Sequence, residues 1–357
     1  MNDRPFAHRR VIAAALLALL ASTGALAQEP APRAATETAV RIVPDDLFHV
    51  EFVGEGRAWI TGYHGTVLRS DDAGASWTNV SLDSHQLLRR GAFPSREHAW
   101  LVGHRGSIFH SADGGETWVR SHHEPGIYLR DIAFLDERRG WAVGHEGTIL
   151  HTRDGGQGWH KQPLSDWTRR DLPRLSGIAI VDAQRLVATG EFGTLAYTQD
   201  GGQTWRHIAL PGEPTMTAIA AAAGQVLAVG LDGAMASATF AGGQFAAQAL
   251  PTTIPTHLLD VRMTRAGTLI SGFGVVVRCA ALDSCGLMPT AENFPSQFLW
   301  LAGVDVADDG AIWTVGLGGH VGRAADAAAP IHTRFVLGQP GWQQAQAQAP
   351  ASPAGVR

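Results

Sequence analysis

Seven copies of one strand-turn-strand unit account for most of the sequence. Two clear copies read AWLVGHRGSIFHSADGGETW from Ala99 and GWAVGHEGTILHTRDGGQGW from Gly140. The first glycine of each copy recurs every 40 to 46 residues, at Gly62, Gly103, Gly144, Gly190, Gly230, Gly272 and Gly316. Strand-rich repeats of about 40 to 45 residues are typical of propeller blades rather than of helical arrays.

A short apolar strand precedes each copy and supplies a further strand to each unit. These lead strands begin at Leu47, Leu88, Leu129, Leu175, Met216, Leu258 and Leu301. With an outer strand after the second turn, each unit has four antiparallel strands. The sequence therefore predicts an all-β, seven-bladed β-propeller over residues 47–337. Two sources remain possible for the outer strand of the last blade, which closes the ring: residues 38–43, or residues 331–337 alone.

Two turns in each clear copy have a recognisable chemistry. Glycines three apart, such as Gly103 and Gly106, predict a tight turn in which positive φ values need glycine. The second turn of the first four copies carries Ser/Thr-x-Asp-x-Gly-x-x-Trp, an Asp box, with Asp72, Trp77, Asp113, Trp118, Asp154, Trp159, Asp200 and Trp205. Its carboxylate and hydroxyl can hold the turn by hydrogen bonds, and its tryptophan can cover the hairpin end. Because a ring places these carboxylates on separate blades, we interpret them as structural and not catalytic.

The two cysteines, Cys279 and Cys285, lie where the sixth copy lacks its Asp box. A pair this close in sequence predicts a small disulfide loop in an oxidising compartment, because no further cysteine completes a zinc set.

The N-terminus has the layout of a cleavable export signal. Three arginines up to Arg10 precede the apolar run Val11–Leu20, and Ala25-Leu26-Ala27 closes the segment. We therefore expect residues 1–27 to be a signal peptide, 28–46 a leader and 338–357 a low-complexity, disordered tail. The expected location is the periplasm, and no later stretch is apolar enough to span a bilayer.

Charge and composition narrow the function classes. The chain has 357 residues, a formal charge of -5, 45% hydrophobic residues and 42 glycines. This composition supports a folded core and excludes a disordered chain or a coiled coil. The net negative charge does not provide the basic field that nucleic-acid binding needs, so we expect no nucleic-acid partner. We also expect no cofactor. We expect the protein to be a monomer.

Candidate binding residues follow from the arrangement of loops in a four-stranded blade. The turn between the second and third strands and the connection to the next blade emerge on one face, and the Asp boxes emerge on the other. The first face collects polar and aromatic loop residues, which are common material for a binding site. The candidates are Tyr63, His64, Arg89, Arg90, His104, Arg105, Tyr128, Arg130, His145, Trp167, Arg169, Arg170 and Arg174. For Arg89 and Arg130, equivalent positions in two lead strands are equally compatible with a pore-lining or salt-bridge role.

Two other kinds of site have little support in the sequence. His64 is one position out of register with His104 and His145, and no acidic partner repeats with them, so we expect no metal site. Asp boxes also occur in sialidases, which need a nucleophilic tyrosine supported by a carboxylate. The chain has three tyrosines, and Tyr197 is explained by packing beside an Asp box. A glycan-binding or sialidase-like propeller is therefore the alternative.

The repeat W-x-x-G-x-x-G-x-(I/L)-x-x-(S/T)-x-D-G-G-x-x-W resembles that of the photosystem II assembly and stability factor family and its bacterial relatives. The resemblance covers residues 47 to about 337 and is closest in the first four blades. It implies a non-enzymatic assembly factor that binds a membrane-protein partner, in places through an arginine-rich patch. In a bacterium without photosynthesis, it implies an accessory of a resistance-nodulation-division exporter.

Overall fold

The computed structural model describes residues 46–252, 254–264, 267–282 and 284–339. Within these residues the chain forms seven antiparallel sheets of four strands each, taken in chain order. Each sheet is one blade, and the expected seven-bladed β-propeller is confirmed.

The first four blades have short outer strands. Blade 1 comprises β1 (Leu47–Gly54), β2 (Arg57–Gly62), β3 (Val67–Ser70) and β4 (Thr78–Asn79). Blade 2 comprises β5 (Leu88–Ala92), β6 (Ala99–Gly103), β7 (Ile108–Ser111) and β8 (Val119–His122). Blade 3 comprises β9 (Leu129–Phe134), β10 (Gly140–Gly144), β11 (Ile149–Thr152) and β12 (His160–Lys161). Blade 4 comprises β13 (Leu175–Ile180), β14 (Leu186–Gly190), β15 (Thr194–Thr198) and β16 (Arg206–Ala209).

The last three blades continue the same order. Blade 5 comprises β17 (Met216–Ala222), β18 (Gln225–Gly230), β19 (Met235–Ala241) and β20 (Gln244–Leu250). Blade 6 comprises β21 (Leu258–Thr264), β22 (Gly267–Gly272), β23 (Val276–Ala281) and β24 (Ser284–Leu287). Blade 7 comprises β25 (Leu301–Val306), β26 (Ile312–Gly316), β27 (His320–Ala324) and β28 (His332–Val336). Short 3-10 turns lie at Tyr63–Gly65, His104–Gly106, Leu231–Gly233, Ser296–Phe298 and Leu317–Gly319.

The ring closes between blades 7 and 1. The lead strands β1 and β25 contact each other, and the Asp305 carboxylate accepts a hydrogen bond of 2.7 Å from the Phe52 backbone N–H. The outer strand of blade 7 is β28, from the C-terminal side of the chain. Residues 38–43, the other source considered for that strand, lie outside the described residues.

The two glycines of each tight turn serve different purposes. Gly106 has a positive φ of 56°, as expected, but Gly103 is extended at φ -176°. A Cβ on Gly103 would lie 1.8 Å from the Leu87 carbonyl oxygen. The first glycine is therefore required by the close approach of the incoming connection and not by positive φ. A non-glycine residue, Arg105, adopts the other left-handed conformation, at φ 54°.

The Asp-box turns are held by hydrogen bonds to one hydroxyl and one carboxylate. In blade 2, Ser111 Oγ donates to Asp113 Oδ1 over 2.7 Å and accepts from the Gly115 N–H over 2.8 Å. The Thr117 backbone N–H donates to Asp113 Oδ1 over 2.9 Å. The hydrogen bonds from Thr117 lower the pKa of Asp113 to about 2. This carboxylate is thus an ionised acceptor, which suits a turn and not a proton donor.

Each Asp box also packs against a tryptophan of the preceding blade. A Cβ on Gly115 would lie 2.2 Å from the Trp59 ring, and a Cβ on Gly74 would lie 2.5 Å from the Trp313 ring. Gly156 and Gly202 meet Trp100 and Trp141 in the same way.

The pairing of tryptophan and Asp box holds around the whole ring. The position of Trp59 is occupied by tryptophan in blades 1, 2, 3 and 7, and the blades that follow these are the four with an Asp box. Blades 4, 5 and 6 carry Val187, Leu227 and Leu269 there, and the blades after them lack the box. The tryptophan and the turn therefore form one interlock between neighbouring blades, including the closing pair.

We expect Gly115→Ala to lower the free energy of unfolding by about 2–4 kcal/mol, because alanine is strained at positive φ and its Cβ overpacks the contact with Trp59. Trp59 has no room to move, since Phe93 stacks on it and Trp118 meets its edge. Chemical denaturation measures the loss. Gly212→Ala is the matched control, because Gly212 has φ +78° and no atom within 4 Å of an added Cβ. Equal losses in the two variants would contradict the interlock.

In blade 6 a disulfide joins Cys279 to Cys285. The two residues are directly opposite on β23 and β24, at the hairpin where blades 1 to 4 carry the Asp box. The bridge thus lies where the first four blades hold their turn by hydrogen bonds.

Candidate functional site

The two faces of the ring differ in the loops that they carry. The tight turns contact the connections between blades: the Gly65 N–H donates to the Gln86 carbonyl over 2.6 Å, and the His104 N–H donates to the Leu87 carbonyl over 3.1 Å. We call this side the connection face and the opposite side the Asp-box face. The expected distribution of loops over two faces agrees with these contacts.

Three arginines meet at the centre of the connection face, beside Tyr128. Arg89 and Arg130 follow the first residues of β5 and β9, and Arg174 precedes β13. We call these three residues the arginine cluster. Burial lowers the pKa of Arg130 to about 10, with repulsion from Arg89 as the next cause. Burial likewise lowers the pKa of Arg89, so these guanidinium groups are held together at an electrostatic cost.

The cluster has fewer anions than cations. Glu191 pairs with Arg174 over 2.9 Å, but within the described part of the chain Arg89 and Arg130 have no carboxylate within 4.0 Å. The Nε atoms of Arg130 and Arg174 are buried and have no hydrogen-bond partner there. Buried polar groups without partners are costly. The arrangement can therefore bind an added anion, and carboxylates suit the arginine fork.

Aromatic rings surround these cations. The Tyr128 ring centroid lies 4.4 Å from that of His104 and 5.0 Å from that of His145. Arg130 lies 5.5 Å from the centre of the Tyr128 ring, and Arg89 lies 4.8 Å from that of Phe48. Burial raises the pKa of Tyr128, so its hydroxyl stays neutral. The site combines positive charge with rigid apolar surface.

Other candidates from the sequence lie apart from this cluster. Trp167 packs on His207, with ring centroids 4.6 Å apart, and its Nε1 donates to the Asp171 carbonyl. Arg169 is paired with Glu213. The remaining exposed candidates on the face are Tyr63, His64, Arg105 and Arg170. In the loop after Pro163, the side chains of Trp167 and Arg169 are thus held by contacts within the protein, and Arg170 is exposed.

Arg90 does not lie on the connection face, contrary to the expectation. It points into the central channel, where it donates to Asp260 and to His49 Nδ1, the latter over 2.9 Å, and lies 3.5 Å from Asp131. Burial alone would lower the pKa of Arg90, but the carboxylates of Asp260 and Asp131 outweigh burial and raise it. Successive side chains of a strand point to opposite sides, so Arg89 and Arg90 lie in different surroundings.

A buried ionic network links the lead strands across the channel. Arg262 binds Asp305 over 2.9 Å and lies 3.5 Å from Glu51, and His49 Nε2 lies 3.1 Å from Glu51. Asp260 also accepts a hydrogen bond from the backbone of the next blade, at Val304. We call this set, together with Arg90 and Asp131, the channel network. Its residues are part of the lining of a cavity of about 890 Å³.

Sequence reasoning missed the network and the aromatic partner Phe48. The sequence did contain an indication of the network, because charged residues recur two or four positions after the start of several lead strands. A strand pattern does not reveal that such residues face each other across a channel.

We expect the channel network to make stability depend on pH through Asp305. Burial raises the pKa of Asp305 to about 6, although Arg262 acts to lower it. The folded state then binds this proton more tightly than the unfolded state, where the pKa is about 4. The stabilisation is complete below pH 4 and is lost as pH rises through 6, by about 1–3 kcal/mol.

The comparison of wild type with Asp305→Asn isolates this titration. From pH 4 to pH 7, urea denaturation should show wild type losing stability relative to the variant. A difference that stays constant over this range would contradict a raised pKa.

The described residues lack the contacts that a sialidase-like site requires. No hydrogen bond there joins a tyrosine hydroxyl to a carboxylate, and Tyr197 stacks on Phe245 in the outer part of the ring. The axial carboxylates are occupied by arginines and backbone N–H groups. Within residues 46–252, 254–264, 267–282 and 284–339, no group of three or more metal-ligating side chains is found. Nor does any described helix have the length and apolarity to cross a bilayer.

Comparisons with known proteins agree with the fold. The family model described as photosynthesis system II assembly factor YCF48 matches residues 123–278. No curated protein sequence matches the chain. A solved structure of YCF48 from Cyanidioschyzon merolae is 16% identical, with a TM-score of 0.61, over 78% of this chain and 95% of that one.

Two further solved structures have similar scores. YCF48 bound to D1 peptide is 15% identical, with a TM-score of 0.60, over 79% of this chain and 92% of that one. An ancestral GH74 enzyme is 11% identical, with a TM-score of 0.61, over 83% of this chain and 47% of that one. At these identities the structures support the fold alone. With the repeat pattern, they lead to one conclusion: the chain is a seven-bladed β-propeller that is similar to the photosynthesis system II assembly factor YCF48 family, whose model matches it over residues 123–278.

Proposed function

We propose that this protein is a non-enzymatic scaffold that binds a membrane-protein partner on its connection face and aids assembly or stability of a membrane complex. The arginine cluster receives an acidic group of that partner. The channel network, in this account, is structural.

The observation that carries the proposal is the uncompensated charge of the cluster. Three arginines share one partly buried site with a single paired carboxylate, Glu191. Burial and then repulsion from Arg89 lower the pKa of Arg130, and an anion from outside would accept hydrogen bonds from the cluster and offset that repulsion.

The likeness to YCF48 supports a membrane-protein partner. A member of the family, YCF48, has been solved with a D1 peptide bound, which is a precedent for peptide binding on this scaffold. The comparisons give no support to a link with resistance-nodulation-division exporters or to the glycan alternative.

We further propose that the protein acts in the periplasm. The support is the sequence of residues 1–27, which has the layout of an export signal. N-terminal sequencing of the protein from a periplasmic fraction should begin at Gln28.

Affinity capture from solubilised membranes tests the proposed function. We expect the wild-type protein to retain an integral membrane protein, and Arg89→Ala/Arg130→Ala to retain at least tenfold less of it. The matched control is Arg138→Ala/Arg153→Ala, which removes two exposed arginines from the Asp-box face. Equal retention by all three proteins would contradict the proposal.

A further inference from the structure

A second surface on the connection face is apolar. Eight large apolar side chains are more than a third exposed in the described part of the chain. Five of these belong to connection-face loops of blades 6, 7 and 1: Tyr63, Phe273, Phe298, Trp300 and Leu317. Phe298 is 69% exposed and Trp300 is 44% exposed. We call these five residues the aromatic patch.

The patch is continuous from blade 6 to blade 7. The ring centroids of Phe273 and Trp300 are 5.6 Å apart. The Leu317 N–H donates to the Trp300 carbonyl over 3.0 Å. Phe298 lies two residues before Trp300 at the end of a 3-10 turn. Concentrated exposed apolar surface of this kind is typical of interaction sites.

The patch also continues into the arginine cluster. Asp46 joins the turns of blades 7 and 1, because its carboxylate accepts from the Gly318 N–H and its carbonyl accepts from the Tyr63 N–H. The Tyr63 ring lies 5.2 Å from that of Phe48, and Arg89 covers Phe48. The two surfaces are therefore neighbouring parts of one face.

The charges around the patch favour an apolar protein segment over a lipid surface. From Cys279 to Gly322 the sequence contains no lysine or arginine. Attraction to anionic lipid headgroups depends on such residues beside the apolar side chains. The arginine cluster borders the patch at Tyr63, beyond Phe48, but the stretch that supplies Phe298, Trp300 and Leu317 has no basic side chain of its own. Exposed aromatic residues with little basic charge among them are typical of the centre of protein–protein interfaces.

We infer that the aromatic patch is the second half of the partner-binding face and holds an uncharged, apolar segment of the same membrane protein whose acidic group enters the arginine cluster. This inference rests on the proposed function. The partner is then recognised by two features at once, an acidic group and an apolar stretch, presented by two halves of one rigid ring.

Site-specific photo-crosslinking in cells tests the inference. Benzoylphenylalanine replaces His104 beside the arginine cluster, Phe298 in the patch, or Leu287. Leu287 is the control, because it is 63% exposed but lies on the outer strand of blade 6. We expect positions 104 and 298 to capture the same integral membrane protein, and position 287 to capture none.

A second variant measures the contribution of the patch. Phe298→Ser/Trp300→Ser should lower the yield of the adduct from position 104 at least fivefold. Because both side chains are exposed, we expect the thermal unfolding midpoint of this variant to remain within a few degrees of wild type.

Other adducts from position 298 would overturn the inference. They are lipid, a second copy of this chain, a protein other than the one captured at position 104, or residues 340–357 of the same chain, which continue from Gln339 beyond blade 7. Absence of an adduct at 298, with one at 104, would also overturn it and leave the proposed function intact. Absence of a membrane-protein adduct at 104 would count against the proposed function itself.

Discussion

Replacing Arg90 by leucine should lower the free energy of unfolding by about 3–5 kcal/mol, because two buried carboxylates lose their cation. The side chains of Asp260 and Asp131 are 4% and 9% exposed, and Arg90 is their shared partner. The loss should be smaller at pH 4 than at pH 8, since a carboxyl without its cation takes up a proton at low pH. Urea denaturation at the two pH values measures both effects.

The neighbouring residue provides the control. Arg89 has no carboxylate partner among the described residues, and burial already lowers its pKa. Arg89→Leu should therefore leave the free energy of unfolding within about 1 kcal/mol of wild type. Equal losses of unfolding free energy in Arg90→Leu and Arg89→Leu would contradict a stabilising role of the channel network.

Replacing Trp313 by alanine should cost about 3–5 kcal/mol, the range for removing a buried tryptophan. The Trp313 ring lies against Gly74 of the first Asp box and against Phe52 and Trp77, all in blade 1. The substitution thus opens a cavity at the contact that closes the ring. Hydrogen exchange should rise in β1 and β25 more than in blades 3 and 4.

Trp300→Ala is the control for this variant. Trp300 is in the same blade but is 44% exposed, whereas Trp313 is 1% exposed. We expect its stability to stay within about 1 kcal/mol of wild type. Similar losses in both variants, or exchange that rises evenly around the ring, would contradict a closing role for Trp313.

The fold could be predicted from the sequence because its determinants are local and repeated. Each blade has its own lead strand, glycine turn and outer strand, so one interpretation applies seven times. The purpose of Gly103 was not predictable in the same way. Its missing Cβ makes room for a carbonyl from the previous connection, a contact that no local pattern reveals.

The candidate site was only partly predictable, since it depends on contacts between blades. Assigning each loop to one of the two faces of the ring identified Arg89, Arg130 and Arg174. It also included Arg90, because the carboxylates that hold Arg90 in the channel belong to other blades, and no local pattern reveals that contact. Of the aromatic patch only Tyr63 was identified, because Phe273, Phe298, Trp300 and Leu317 lie in blades 6 and 7, where the repeat is weaker.

Hydrogen exchange of the protein, free and with its captured partner, tests the central claim most directly. If the connection face is the binding surface, protection should appear in the segments 84–89, 127–130 and 172–175, around the arginine cluster. The Asp-box turns at 112–117 and 154–158 should exchange at the same rate in both states. Protection confined to those turns would contradict the account, because it would place the partner on the opposite face of the ring.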